Sequence, residues 1–155
     1  KRFPTLHYTV IGRGELEQEL REQISALRLS DHVQVVTDAD DDKMAAMYQQ
    51  CDVFILPNRT IGGDIEGLGM VLLEAQACGK YVVAGNSGGT KETMRVGETG
   101  FVIDCSSPSA IVDGFSMVMQ KLPSFTMSPS EFVKCTFSWD VHVEKARALF
   151  DRFAN

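Results

Sequence analysis

Five short apolar runs constrain this chain most: Tyr8-Thr9-Val10-Ile11, Val33-Gln34-Val35-Val36, Val53-Phe54-Ile55-Leu56, Tyr81-Val82-Val83-Ala84 and Phe101-Val102-Ile103. They are rich in β-branched residues and mostly do not alternate with polar ones. Continuous runs of this kind suit strands covered on both faces, as in a parallel sheet. Helical patterns lie between them. Leu16, Leu20, Ile24 and Leu27 recur at i, i+4, i+8 and i+11, which predicts an amphipathic helix over 15–28. Asp41 and Asp42 open the next helix, where carboxylates favour the N-terminus, and Met44, Met47 and Tyr48 give it an apolar stripe. A third helix is expected over 69–78, stopped by Gly79, and a fourth over 107–121, opened by Ser107-Pro108. Residues 122–130, rich in Pro and Ser, read as a loop, and a terminal helix is expected over 139–153. Such alternation predicts an α/β fold, a doubly wound parallel sheet.

A length of 155 residues suits a single domain over 1–155. With 44% hydrophobic and 23% charged residues, a disordered chain is excluded. No apolar run approaches the ~20 residues of a membrane span, and Lys1-Arg2 has no apolar stretch behind it, so no signal peptide is read. The formal charge is −6 and the basic residues are scattered, which argues against a nucleic-acid partner. Cys51, Cys78, Cys105 and Cys135 have neither zinc nor redox spacing and read as free thiols of a reducing cytosol. Cys51 and Cys78 each stand just before an apolar run, so they mark a period of about one strand–helix unit.

In an open α/β sheet, ligands bind beyond the carboxyl ends of the strands. Three glycine-bearing loops fall there. Gly12-Arg13-Gly14 follows the first strand, Ile61 to Gly69 follows the third, and Asn86-Ser87-Gly88-Gly89-Thr90 follows the fourth. Each can present backbone N–H groups at a helix start, where an anion is attracted. The Gly-x-Gly at 12–14 lacks the third glycine of a dinucleotide fingerprint, and no Walker lysine pattern is present.

Two glutamates bracket the second loop and its helix. Glu66 sits before the helix, either facing a ligand held on the glycine amides or acting as a helix-start carboxylate. Glu74 lies in the helix, which is apolar nearly all round. Either the carboxylate is buried and needs donors, such as a ribose diol, or it shares a narrow exposed stripe with Gln76.

The run Glu66-Gly67-Leu68-Gly69-Met70-Val71-Leu72-Leu73-Glu74-Ala75-Gln76-Ala77-Cys78-Gly79 resembles the signature of family-4 retaining glycosyltransferases, two glutamates separated by seven residues after a glycine-rich start. Val10 to Glu15, Cys51 to Asn58, Ser87 to Glu92, Gly97 to Gly100 and Phe137 to Asp140 fall in that family's order as well. The resemblance covers nearly the whole chain. It implies the C-terminal, donor-binding, Rossmann-like half of a GT-B enzyme, lacking its first strand–helix unit. By that analogy Glu66 is the catalytic-site residue on the transferred sugar's hydroxyls. The amides of Gly67, Leu68, Gly69 and Met70 hold the distal phosphate, and Glu74 holds the nucleotide ribose. Gly12 lets the chain approach the diphosphate, with Arg13 and Arg59 as helpers, and the base lies near the 34–38 loop and Pro57-Asn58.

The resemblance further implies a nucleotide-sugar donor as the bound partner and no metal or other cofactor. The Arg and Lys that neutralise the leaving diphosphate, and the N-terminal acceptor-binding domain, lie outside this chain, so the chain alone is expected to be inactive. A cytoplasmic protein is expected, peripheral to the inner membrane face at most, with any membrane contact made through the absent part. A GT-B-like sugar-nucleotide epimerase or phosphorylase is the alternative, which the Glu66–Glu74 signature with Ser87-Gly88-Gly89 disfavours. A receiver-like signalling module lacks its acidic pair. Asp40-Asp41-Asp42 fits a solvated helix start better than a metal site, and His7, His32 and His142 are spaced too far apart to read as ligands.

Overall fold

The computed structural model describes residues 3–124 and 126–153. All five expected strands form: β1 (Tyr8–Ile11), β2 (Val33–Val36), β3 (Val53–Leu56), β4 (Tyr81–Gly85) and β5 (Gly100–Ile103). Every pairing among them is parallel. β1 pairs with β2 in register Tyr8↔Val33, and β3, β4 and β5 form a second sheet in that order. Among the described residues, six α-helices connect or follow them: α1 (Glu17–Ala26), α2 (Asp41–Gln50), α3 (Met70–Ala77), α4 (Pro108–Lys121), α5 (Pro129–Phe137) and α6 (Trp139–Phe153). The contacts divide the chain into two compact units, residues 1–46 and 47–155, with the boundary inside α2.

In the first unit, α1 is the crossover between β1 and β2. It is shorter than expected. Leu20 and Ile24 are half-buried as the pattern requires, but Leu16 and Leu27 flank the helix and are exposed. Arg21 reaches from α1 to the carbonyl of Val35 at 3.4 Å and pairs with Glu17 one turn back. Asp40 caps α2, its carboxylate accepting from Lys43 N at 2.8 Å, so the acidic run serves as a helix start. His7 and His32, far apart in sequence, have ring centroids 5.5 Å apart, because β1 and β2 begin side by side.

In the second unit, the period of two along each strand sends alternate side chains to opposite faces. Val53, Ile55, Val83, Phe101 and Ile103 cluster with Val118, Ile111 and Leu122 of the α4 segment. The opposite face meets α3, whose Leu72, Leu73, Ala75 and Gln76 are buried. A sheet covered on both faces explains the continuous apolar runs. The cysteine period does not extend beyond its first two members: Cys105 follows β5 and Cys135 lies in α5.

The segment read as a loop over 122–130 is only partly one. Leu122–Ser124 is a 3-10 turn, Phe125 lies outside the described residues, and α5 begins at Pro129. The side chain of Ser128 accepts from Glu131 N at 3.3 Å and Pro129 takes the first helical position. A serine cap followed by proline starts a helix. α5 then packs along α3. The terminal helix spans Trp139–Phe153, as expected, with no buried residue; Trp139, Phe150 and Phe153 are largely exposed. No described helix is long and apolar enough to cross a membrane.

Candidate functional site

The carboxyl ends of β3 and β4 are fastened together by side-chain hydrogen bonds, and glycines let the backbones approach closely. Asn58, two residues beyond β3, accepts from Gly85 N through Oδ1 at 2.9 Å and donates from Nδ2 to the carbonyl of Ser87 at 3.3 Å. Thr60 and Ser87 share a hydroxyl–hydroxyl bond of 3.0 Å, and Thr90 donates back to the carbonyls of Gly85 and Ser87. The segment Gly88–Thr93, a 3-10 turn, then runs against the loop that precedes α3. Gly89 N donates to the carbonyl of Gly67 at 2.9 Å. A Cβ at Gly88 would lie 1.6 Å from the carbonyl oxygen of Glu66, so this approach excludes every residue except glycine.

That packing delivers the loop 66–69 onto α3. Gly69, at φ 75°, turns the chain into the helix and offers no side-chain cap. Among the described residues, the amides of Gly67, Leu68, Gly69 and Met70 donate to nothing. A helix start with unengaged N–H groups carries a partial positive charge and suits an anion. Glu66 is half-buried immediately before these amides, and its carboxylate has no hydrogen bond or ion pair among the described residues.

Glu74 is exposed, on a stripe with Met70 and Ala77 at i, i+4 and i+7. Its pairing with Gln76 does not hold. Gln76 is fully buried and donates to the carbonyls of Leu72 at 3.0 Å and Thr93 at 2.7 Å, tying α3 to the Gly88–Thr93 turn. Residues two apart on a helix point nearly opposite ways. The expected burial of Glu74 does not hold either, although it does have a donor. Tyr48 Oη donates to its Oε2 at 2.9 Å. Tyr48 was expected only as part of an apolar stripe, and its ring is indeed buried, edge-on to Phe54 with centroids 5.4 Å apart. Burial, and then the neighbouring carboxylate, push the phenol far above its ordinary value, so it stays protonated and donates.

An open cleft of about 470 Å³ lies at the ends of β3, β4 and β5, lined by Asn58, Arg59, Thr60, Asn86, Asp104 and Ser106. Neither Glu66 nor Glu74 lines it. In the first unit, Gly12 continues β1 with φ 151° and its N–H bonded to the carbonyl of Val36 at 3.0 Å. Arg13 is exposed, and its Nε donates to the carbonyl of Thr37, after β2.

Parallel strands, crossover helices and glycine loops at the strand ends define an open α/β domain, a class whose ligand sites lie beyond the carboxyl ends of the strands. The chain belongs to the group 1 glycosyl transferases, whose family model matches residues 1–124. It is 40% identical over 113 residues to the GDP-mannose-dependent alpha-(1-6)-phosphatidylinositol monomannoside mannosyltransferase of Mycolicibacterium smegmatis, which spans 72% of this chain and 30% of that protein. It thus covers about a third of the length of such relatives. Among solved structures, the sucrose-phosphate synthase of Thermosynechococcus elongatus superposes with a TM-score of 0.77 at 21% identity, over 99% of this chain and 40% of that one. Anabaena HepE, solved with UDP and glucose, gives 0.74 at 21% identity over 96% and 41%. The fold is therefore that of the Rossmann-like half of GT-B glycosyltransferases.

Proposed function

We propose that this chain is the donor-binding part of a retaining glycosyltransferase, which moves a hexosyl unit from a nucleoside-diphosphate sugar to an acceptor held elsewhere in the full-length protein. One observation carries the reading: a row of unengaged amides from Gly67 to Met70 at the start of α3, with Glu66 directly before it and the exposed Glu74 in the second turn. The amides receive the distal phosphate and stabilise charge as the diphosphate leaves. Glu66 takes the hydroxyls of the transferred sugar, and Glu74 takes the two donors of the ribose diol. Gly12 and Arg13 are read as diphosphate contacts on the family resemblance alone.

In an acidic chain these dipoles replace a positive field, and the reading uses no resident metal. It places the protein in the cytoplasm, with the acceptor side supplied by residues outside this chain, so that the chain binds donor without turning it over. The relatives named as GDP-mannose-dependent make GDP-mannose the first donor to test. Calorimetry with GDP, UDP and their sugars should show nucleotide binding that Glu74→Ala weakens by about tenfold or more. The absence of nucleotide binding at millimolar levels, both in this chain and in the full-length protein, would sink the reading.

A further inference from the structure

A ribose diol needs a carboxylate held in one orientation, and Glu74 stands on an exposed helix face where nothing on its own helix holds it. A free glutamate side chain samples many rotamers, and ordering it opposes binding. Tyr48 supplies the missing constraint. Its ring is 5% exposed and fixed edge-on against Phe54, in β3, so the hydroxyl is presented from one place. That hydroxyl donates to Oε2 of Glu74 at 2.9 Å. A carboxylate has about four lone-pair sites. With one taken by Tyr48, Oε1 keeps both of its own and Oε2 keeps one, enough to accept from two neighbouring hydroxyls.

We propose that Tyr48 is a positioning residue, holding the Glu74 carboxylate in the orientation that receives the vicinal diol of the donor's ribose. This rests on the reading of Glu74 as the ribose carboxylate, and it adds a residue from another element to that contact. Tyr48 does not touch the ligand; it acts through Glu74.

The test is calorimetry of this chain with whichever of GDP and UDP it binds more tightly, and with the 2′,3′-dideoxy form of that nucleotide. Tyr48→Phe keeps the buried ring and removes only the hydroxyl. It should weaken the ordinary nucleotide by about tenfold, the equivalent of about 1.4 kcal/mol. It should leave the dideoxy nucleotide unchanged and add nothing in the Glu74→Ala background. Equal losses on both nucleotides, additive losses with Glu74→Ala, or no loss at all would overturn the proposal. Phe54→Leu gives an independent reading, since it loosens the ring while keeping the hydroxyl. A smaller loss confined to the diol-bearing nucleotide supports the proposal, and a loss equal on both counts against it. If Glu74→Ala itself leaves binding unchanged, or if no nucleotide binds to either this chain or the full-length protein, the ribose assignment fails and Tyr48 with it. If Glu74→Ala weakens binding and Tyr48→Phe does not, only the Tyr48 proposal fails.

Discussion

Asn58 and Gly85 meet twice: the side chain of Asn58 accepts from Gly85 N at 2.9 Å, and a Cβ on Gly85 would lie 1.7 Å from the carbonyl oxygen of Asn58. Asn58, two residues beyond β3, therefore fixes the last residue of β4. Asn58→Ala leaves the buried N–H of Gly85 without its acceptor and releases the carbonyl of Ser87. An unmade buried hydrogen bond costs about 1–3 kcal/mol, so the variant should melt several degrees below the parent. Asn58→Asp keeps the acceptor and loses the donor, and a melting curve should place it between the two.

Gly62 and Gly88 separate backbone strain from close contact. Their φ angles are 57° and 58°, but a Cβ at Gly62 meets nothing within 4 Å whereas one at Gly88 meets the Glu66 carbonyl. Gly62→Ala should lose about 1 kcal/mol, the cost of a left-handed alanine. Gly88→Ala should lose more in urea unfolding and should also weaken nucleotide binding, because the loop 66–69 must move. Equal losses for the two would show that the contact is not what matters.

Core truncation and surface truncation should differ sharply. Leu72 is fully buried on α3, so Leu72→Ala should lose about 2–5 kcal/mol. Trp139 is 81% exposed at the start of α6, and Trp139→Ala in this chain should stay within about 0.5 kcal/mol of the parent. Denaturant midpoints with unchanged m-values check both.

Alkaline stability follows from Tyr48. Its folded pKa lies above the ordinary 10.0, so the folded state holds the phenolic proton more tightly than the unfolded chain does. Stability from this group is complete below pH 10 and declines as pH rises beyond it. Tyr8, raised by burial, adds in the same direction. Urea midpoints between pH 9 and 11 should fall in the parent, and Tyr48→Phe should flatten part of that fall. An identical slope in the variant would contradict the buried, hydrogen-bonded phenol.

The strands were legible because a strand covered on both faces needs an unbroken apolar run, and four of the five expected spans start where the observed strands do. α5 was not, although its start carries the same Ser-Pro signature at 128–129 that was used at 107–108. Neighbouring proline and serine at 122–124 made the whole stretch look like loop. In the site, the glycine loop and the two glutamates stood out from composition and spacing. Gln76 was misplaced for a reason visible in the sequence, since an i, i+2 pair on a helix cannot share a stripe. Tyr48 could not be assigned to Glu74, because no local spacing records that a hydroxyl 26 residues away reaches across from α2 to α3.

The close packing of Gly88 and Gly89 against Glu66 and Gly67 has a thermodynamic meaning beyond stability. The carbonyl of Gly67 is already bonded to Gly89 N and that of Glu66 lies against Gly88, while among the described residues the amides from Gly67 to Met70 stay unengaged. On the proposed reading of these amides as the phosphate contacts, most of the ordering that binding needs is then carried out by folding. Donor capture at this edge should then resemble a key entering a cut lock, with little rearrangement of the backbone around the phosphate.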